Sequence, residues 1–492
     1  MKKILVFLML ALSFAACTDN FDDDLVDPKR PLEVPARLLF ANAQRNLVDQ
    51  MTTPSVNSGI FRMLSQQWAA TTYPEESRYD LVTRNVPQNF WFTIYRDVLM
   101  DLRQARRFTE ADMSINPLQK ANQLAIIEVM EVYAWAVLVD TFGDIPYSEA
   151  LDPDNIYPKY DNAAAIYTDL FARLNTAIAT LGADGAVAAG AGTLGTSDLI
   201  YSGNISKWIM FANSWKLRMG MMVADVNPSI ARTAVEEAAP KVFATAADNA
   251  IFRYTLTTPN VNPVWSNLVQ SGRNDFVPAN TLVDVMNEYN DPRRAKFFTQ
   301  LNGQYVGGIY GDNNIYANFS KVNPETTVAN FPSQLLTYDE VQFLLAEAAA
   351  RGFTTGFTAG DHYVKAITAS LANWGVADQA AAYLAQPKVA AQVAVMSSTG
   401  ADGTLSEAER EAIGVQKWIA LYNRGFEAWT EFRRLDYPQL EAPVENNAVY
   451  DIVPVRYPYP PTERTLNPDA VNAASSAIGG DEATKRIFWD VQ

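Results

Sequence analysis

The sequence predicts a mostly α-helical protein, and three observations support this fold class. Apolar side chains recur every three or four residues along several long segments, which is the spacing of one helix face. Residues that favour the start of a helix, such as Pro117 and Asn162, stand directly before such segments. The stretches between these segments lack a helical period and are polar, aromatic and glycine-bearing.

Nine helices are predicted in chain order. The second carries Trp91 and Val98 at helical spacing, Asp161 or Asn162 is the expected N-cap of the fourth, and Gly425 is expected to interrupt the last. The predicted helices span residues 37–51, 89–108, 117–142, 162–181, 206–225, 232–245, 335–351, 361–374 and 407–435.

The third predicted helix, residues 117–142, has the clearest apolar pattern. Glu128 and Glu131 lie off its apolar face. The positions that share that face are Leu124, Ile127, Met130, Ala134 and Val137.

Three segments are predicted to be loops. Residues 182–195 are rich in Ala and Gly, which is typical of a flexible surface loop. Residues 259–278 and 303–332 mix aromatic and polar side chains without a helical period. Within the third segment, residues 306–314 are expected to form turns with a short hairpin.

Composition and charge exclude one class of partner. Hydrophobic residues make up 48% of the 492 residues, so a sizeable core can be buried. The chain has 39 Lys+Arg and 55 Asp+Glu, for a formal net charge of −16. A nucleic-acid backbone would be repelled, and no basic stripe offsets that field. We therefore expect no nucleic-acid partner.

The chain has one cysteine, Cys17, and one histidine, His362. No intramolecular disulfide and no Cys/His zinc cluster can be built from them. A Ser-His-Asp or Cys-His site would have to use His362, which we expect to be a partly exposed residue in the first turn of a helix. The sequence therefore predicts no enzyme, no cofactor and no metal.

The N-terminus has the pattern of a secretory signal. Lys2 and Lys3 precede an apolar run over residues 4–12, which is too short to cross a bilayer. Two alanines then precede Cys17, and this arrangement resembles a bacterial lipoprotein signal, in which the thiol is acylated and becomes the first mature residue. An ordinary signal with an incidental cysteine is the alternative.

The mature chain is predicted to begin with a tether. Residues 17–35 are polar, acidic and broken by prolines. Their acidic cluster resembles the surface-export tag of Bacteroidetes lipoproteins, but a solvated linker explains it equally well. We therefore divide the chain into a signal peptide (1–16), a lipidated acidic tether (17–35) and a single domain (36–492).

Five segments together resemble the SusD/RagB family of outer-membrane nutrient-binding lipoproteins, in particular its SusD-like subgroup from Bacteroidetes. Each segment is weak evidence alone, but their order and spacing are specific. They are residues 140–150 (DTFGDIPYSEA), 343–351 (FLLAEAAAR), 416–434 (QKWIALYNRGFEAWTEFRR), 456–463 (RYPYPPTE) and 485–490 (KRIFWD).

The resemblance implies a fold, a location and a partner. The fold is a SusD-like helical one, with tetratricopeptide-like helix pairs and a loop-rich ligand face. The implied location is the cell outer membrane, lipid-anchored and surface-exposed. The implied function is to bind a nutrient, preferably an oligosaccharide, and deliver it to a SusC-like TonB-dependent transporter.

The charged residues of these segments also have a structural interpretation. Glu347 and the arginines at 424, 433 and 434 are expected to form partly buried ion pairs between helices. Arg456 and Glu463 flank a proline-rich turn and are expected to hold the C-terminal segment in place.

Sugar binding requires flat aromatic faces and fixed polar groups on loops. Two stretches, residues 68–79 and 262–275, combine both, and the resemblance places loops of these regions on the ligand face. The predicted ligand-binding residues are Trp68, Tyr73, Trp265, Arg273 and Asn274, each with the alternative of a packed or merely solvated loop residue. Six tryptophans on predicted helices are expected in the core: Trp91, Trp135, Trp208, Trp215, Trp418 and Trp429.

Other functions remain open at this point. The cargo is alternatively a peptide or another nutrient, or the protein is an adaptor that contacts only the barrel. A glycoside hydrolase would need two facing carboxylates, and the adjacent pairs Glu75–Glu76 and Asp339–Glu340 do not suit that geometry. Loop 311–314 would permit a calcium ion, but we expect none.

Overall fold

The computed structural model describes residues 34–398 and 403–492. Within them lie nineteen α-helices and a few short strands, and 56% of the described residues are helical when every helix type is counted. The predicted mostly α fold is therefore confirmed. The signal peptide (1–16) and Cys17 lie outside the described residues, so their processing and lipidation stay predictions.

The helices, labelled α1 to α19, span Ala36–Thr52, Phe61–Leu64, Val86–Phe92, Met100–Ala111, Pro117–Phe142, Ala163–Leu181, Ala186–Ala189, Ile205–Met222, Pro228–Ala238, Asn280–Glu288, Arg294–Phe297, Tyr338–Ala350, Ala359–Asn373, Ala380–Leu384, Pro387–Ser397, Glu407–Ala420, Gly425–Leu435, Pro461–Leu466 and Pro468–Ala477. A π-helical segment, Thr93–Leu99, joins α3 to α4. Consecutive helices pack in pairs, including α5 with α6, α8 with α9, and α12 with α13.

Local sequence sets several helix ends as predicted. Helix α5 has the predicted bounds, with Pro117 in its first turn. The side chain of Asn162, rather than Asp161, caps α6 by accepting the backbone N–H groups of Ala164 and Ala165. Gly425 begins α17 after a four-residue break, and a Cβ there would lie 2.5 Å from the backbone nitrogen of Arg62. The glycine thus allows α17 to approach α2 closely.

Six strands form three two-stranded antiparallel sheets. Strand β1 (Trp68–Ala70) pairs with β5 (Phe276–Pro278), β2 (Ile145–Pro146) with β3 (Tyr160–Asp161), and β4 (Ala250–Phe252) with β6 (Ser333–Leu336). In the first sheet Trp68 lies opposite Pro278 and Ala70 opposite Phe276. This pairing joins segments about two hundred residues apart in the chain.

The hairpin predicted in residues 306–314 is wrong. Gly308 instead forms an isolated parallel bridge with Ala279. Its backbone N–H donates to Pro278 O (2.8 Å) and its carbonyl accepts from Asn280 N (2.8 Å). A Cβ on Gly307 would lie 2.4 Å from the Cα of Asn280, so the loop packs flat against the start of α10 only because it is glycine.

The core is one cluster of buried apolar residues that extends from Phe40 to Trp489. The six helical tryptophans predicted to be core are all buried, as expected. Helix α5 is buried almost all round from Ala125 onward, so the single apolar face predicted for it is wrong. It packs against α4, α6 and α8, which leaves even Glu131 buried.

His362 lies in the first turn of α13 as predicted, but it is buried, so the expected partial exposure is wrong. Its Nδ1 lies 2.8 Å from Oε1 of Gln342, and its Nε2 lies 3.1 Å from the hydroxyl of Thr355. Burial lowers the pKa of His362 to about 4, so the ring is neutral at physiological pH.

Of the predicted ion pairs, the one between Glu347 and Arg434 forms, in a fully buried cluster between α12, α16 and α17. The ion pair predicted for Arg433 is wrong, because its guanidinium donates to backbone carbonyls instead. Arg434 binds both carboxylate oxygens of Glu347 (2.6 and 2.5 Å) and one of Glu431 (2.6 Å). Lys417 lies 2.8 Å from Glu431, and Arg351 lies 3.0 Å from Glu347. These charges therefore link the three helices inside the core.

The C-terminal segment is held by the residues predicted for that role. The Arg456 guanidinium donates to Phe142 O (2.9 Å) at the end of α5 and pairs with Asp481 (2.9 Å). Glu463 accepts a hydrogen bond from the hydroxyl of Tyr160 (2.9 Å). Both residues therefore attach the segment to the loops that follow α5.

Candidate functional site

The β1–β5 pairing brings the two predicted ligand segments together. Directly after β1, the backbone N–H of Thr71 donates to Asp275 O (2.8 Å) and its hydroxyl donates to Asn274 O. The hydroxyl of Thr72 donates to the Asp275 carboxylate. Residues 71–73 and 273–275 therefore form one surface, although no local sequence signal links them.

Tyr73 and Arg273 are in contact on this surface. Tyr73 adopts a left-handed backbone conformation (φ 53°) and is 37% exposed. The guanidinium of Arg273 lies 5.0 Å from the centre of its ring, and that of Arg84 lies 4.6 Å away. Part of the ring surface that a sugar would use is thus covered by protein cations. Because both arginines lie against its ring, Tyr73 is better placed to hold them than to stack on a ligand by itself.

Each of these arginines has a carboxylate partner. The Nε of Arg273 lies 2.5 Å from Asp275, and its side chain is 44% exposed. The Nε of Arg84 lies 2.5 Å from Glu76, which is completely buried. Burial raises the pKa of Glu76 to about 7, and the attraction of Arg84 only partly opposes this. The pKa of this carboxyl, which Arg84 links to the ring of Tyr73, therefore lies near neutral pH.

Trp265 is partly exposed at the start of a π-helical segment, Trp265–Gln270. Asn262 positions that segment, since its side chain accepts from Val264 N (2.7 Å) and donates to Phe331 O (2.8 Å). Among the described residues, nothing accepts a hydrogen bond from the indole N–H of Trp265. Its ring and its N–H both remain available to a ligand.

The structure corrects the prediction for Trp68, which is buried and 1% exposed. Its indole N–H donates to the hydroxyl of Tyr422 (3.3 Å), and its ring lies 5.5 Å from that of Phe276. As a residue of β1, Trp68 points into the core and cannot contact a ligand in this conformation. Asn274 is exposed, and its side chain has no partner among the described residues.

A cleft of about 380 Å³ lies beside this surface, and Arg273 is the predicted ligand residue that lines it. Sequence reasoning missed both its opposite wall, residues 54–57, and Arg84. The adjacent acids Glu75 and Glu76 could have indicated Arg84, because a buried carboxylate requires a neighbouring cation. The remaining lining residues are Ser266, Asn267, Ser271, Asp275 and Phe276.

Other predicted site features have structural roles. Asp339 and Glu340 are buried in α12, where Glu340 pairs with Arg218 (2.5 Å) and Arg424 (2.7 Å). The amide of Asn314 donates to Ala70 O (3.0 Å), so loop 311–314 supports β1. The described residues contain no group of three or more His, Cys, Asp or Glu side chains able to hold a metal.

Fold and site define a helical scaffold with an aromatic and polar loop surface beside a cleft. The sequence model of a SusD-like family, described as "Starch-binding associating with outer membrane", matches residues 28–460. The chain therefore belongs to this SusD-like family, which confirms the resemblance seen in the sequence. No curated protein matches the chain.

Solved structures agree with this membership. A chitin-binding SusD homologue from Flavobacterium johnsoniae is 26% identical, with a TM-score of 0.76 over 92% of this chain and 98% of that one. A SusD homologue from Bacteroides uniformis is 29% identical, with a TM-score of 0.74 over 92% and 99%. A SusD-like protein from Bacteroides thetaiotaomicron is 26% identical, with a TM-score of 0.75 over 93% and 99%.

The family description associates such chains with the outer membrane. Across residues 34–398 and 403–492, every helix falls short of the length or apolar character that crossing a bilayer requires.

Proposed function

We propose that this protein binds an oligosaccharide at the outer surface of the cell, as a lipoprotein anchored through Cys17, and delivers it to a SusC-like TonB-dependent transporter. The single observation that carries the proposal is the convergence of residues 71–73 with residues 273–275. Two segments predicted separately to contact a glycan meet at one loop surface, beside a cleft that Arg273 lines.

The chemistry of that surface suits a neutral sugar chain. Trp265 offers a partly free ring face for the C–H face of a sugar, and its N–H has no partner within residues 34–398 and 403–492. Arg273, Asn267 and Asn274 provide donors for hydroxyl or acetamido groups. Neutral ligands are unaffected by the net charge of −16. The chitin-binding relative supports a glycan over other cargo.

Two alternatives predict different experimental results. In the first the cargo is a peptide, and in the second the protein is an adaptor that contacts only the transporter. We propose that the surface binds a ligand and does not hydrolyse it. The nearby acids Glu76 and Asp275 form ion pairs with Arg84 and Arg273. The adaptor alternative requires that the transporter, and no sugar, contact Trp265.

Replacing Trp265 by Ala, or Arg273 by Ala, is expected to weaken binding of chitin or starch oligosaccharides about tenfold each, because each change removes a stacking face or a charge-assisted donor. Isothermal titration calorimetry on the purified chain measures the loss. Tyr157→Ala is the matched control, since Tyr157 is an exposed aromatic on a different loop. Unchanged sugar binding in both variants, with lost association to the transporter, supports the adaptor instead.

A further inference from the structure

A second cavity, of about 470 Å³, shares no lining residue with the cleft beside Arg273. Its walls come from the end of α1, from α2, from β4 and β6, and from the turn between α16 and α17. Exposed residues such as Asn373 and Gly375 line it together with fully buried ones, so the cavity runs from the surface into the core. Its volume is in the range of small-molecule sites.

A buried cation without an anionic partner lines this cavity. Arg62 is 3% exposed, and its guanidinium donates only to neutral oxygens: Asn423 Oδ1 (2.8 Å), Asn423 O (2.9 Å) and Thr53 O (3.3 Å). No carboxylate of the described residues lies within 4.0 Å of it. These bonds use three of its five N–H groups, which leaves two for a ligand.

The other charges of the cavity are paired. Lys296 lies 3.5 Å from Glu325, and Arg424 lies 3.5 Å from Glu427. Three cations and two anions line the cavity, so its formal charge is 3 − 2 = +1 in a chain of net −16. Burial lowers the pKa of Arg62 to about 10, which still leaves it charged at neutral pH. Glu427 attracts the Arg62 guanidinium without contacting it, so the buried charge is only partly compensated. A monoanionic ligand would relieve the remaining cost of burying that charge.

Trp374 supplies a second polar group and a ring. Its Nε1 is buried and has no hydrogen-bond partner in the part of the chain that the structure describes, although the residue as a whole is partly exposed and lines the cavity. Its ring is fixed edge-on against Phe297, with ring centres 4.5 Å apart. A ligand hydroxyl would satisfy the N–H, and the ring offers a flat apolar surface to the C–H face of a sugar.

We propose that this cavity is a second binding site, separate from the loop cleft, and that it takes a small sugar acid. The carboxylate of a hexuronic acid pairs with the free N–H groups of Arg62, and its ring lies against Trp374. A single negative charge matches Arg62, the one cation of the cavity with no carboxylate of the described residues in contact, while the hydroxyls match the indole N–H of Trp374. This site does not depend on glycan binding at Trp265.

Titration of the full mature chain with D-glucuronate, its methyl ester and D-glucose tests the proposal by calorimetry. We expect glucuronate to bind at least about tenfold more tightly than the ester or glucose, because only its carboxylate makes a charge-assisted pair. Equal binding of glucuronate and its ester, or no binding of glucuronate at about 10 mM, overturns the proposal.

Variants locate the site. Arg62→Gln is expected to abolish the preference for glucuronate, whereas Arg37→Gln removes the same charge from an exposed position and is expected to change nothing. Because Arg62 also holds the turn at Asn423, a melting curve accompanies that variant. Trp374→Phe keeps a ring but deletes the N–H, and is expected to weaken glucuronate binding about threefold to tenfold. If Arg62→Gln and Trp374→Phe both bind glucuronate with wild-type affinity, glucuronate binds elsewhere on the protein and the proposal is overturned.

Titrating chitin oligosaccharide and glucuronate each against protein saturated with the other separates the two sites. Independent binding agrees with two sites, and mutual displacement overturns the second one. If no chitin or starch oligosaccharide binds while glucuronate does, the proposed function fails and this inference stands.

Discussion

Replacement of Glu347 by Ala is expected to lower the free energy of unfolding by about 3–5 kcal/mol, the largest stability effect that we predict for a single side chain. Glu347 is completely buried in α12 and is shared by Arg434 and Arg351. Its removal leaves two guanidinium groups in the core with fewer carboxylates than they need. The loss is mainly the cost of those unpaired charges rather than the net contribution of the pair.

The charge state of the cluster supports this expectation. Burial would raise the pKa of Glu431, but the attraction of Arg434, Lys417 and Arg218 outweighs it and holds that pKa well below its usual range. Glu431 is therefore ionised in the folded protein at neutral pH, and its contribution to stability is lost only as the pH falls below the unfolded value of about 4.5. With Glu431 ionised, deleting Glu347 leaves the cations of the cluster with one carboxylate fewer.

Urea unfolding at pH 7 measures the effect, with Glu288→Ala as the matched control. Glu288 pairs with Lys388 at 2.6 Å, but the two side chains are 61% and 42% exposed. Because water screens that pair, its loss is expected to cost at most about 1 kcal/mol. If Glu347→Ala and Glu288→Ala unfold at the same urea concentration, burial does not determine the energy of these pairs and the cluster is not what joins α12 to α17.

The parts of the fold that follow from local chemistry were predictable from the sequence. Pro117 and Phe142 bound α5 as expected, and Gly425 separates α16 from α17. The apolar periodicity of long helices also placed six tryptophans in the core. Helix α15 was missed because only three of its 11 residues, Val389, Gln392 and Met396, are buried. Its helical pattern is therefore weak in the sequence.

The parts that depend on distant partners were not predictable. Trp68 stands in a stretch with the composition of a ligand loop, yet pairing with residues 276–278 makes that stretch a strand whose tryptophan faces the core. Likewise, Arg433 was expected to form an ion pair. It stacks instead on Trp429, 3.6 Å from the ring centre, and donates to Asp140 O (2.7 Å). Burial lowers its pKa to about 10.

In the candidate site, too, local sequence predicted some features and distant contacts determined others. Composition identified both segments that carry it, and Tyr73 and Arg273 do meet. The role of Tyr73 changes, however, because Arg84 and Arg273 already lie against its ring. Only the three-dimensional arrangement shows that Trp265 is partly exposed and that its N–H has no acceptor among the described residues, which is why we propose it as the ring that receives a sugar.

Replacement of Cys17 by Ser is expected to move the protein almost completely from the membrane fraction to the soluble fraction. Each buried CH₂ of an acyl chain contributes about 0.8 kcal/mol, and two or more chains hold a protein on a bilayer almost permanently. The helices of the described residues offer no membrane-crossing substitute for that anchor. Fractionation of cells followed by mass spectrometry of the N-terminal peptide measures both location and acylation.

A second variant separates anchoring from surface exposure. Changing the acidic cluster to Asn leaves Cys17 in place, so the protein is expected to stay with the membrane while becoming resistant to protease added outside intact cells. The cluster comprises Asp19, Asp22, Asp23 and Asp24. If the sensitivity to protease is unchanged, the acidic cluster is a solvated linker and not an export tag. A Cys17→Ser protein that still sediments with membranes would mean that association with the transporter, not acylation, holds this chain at the cell surface.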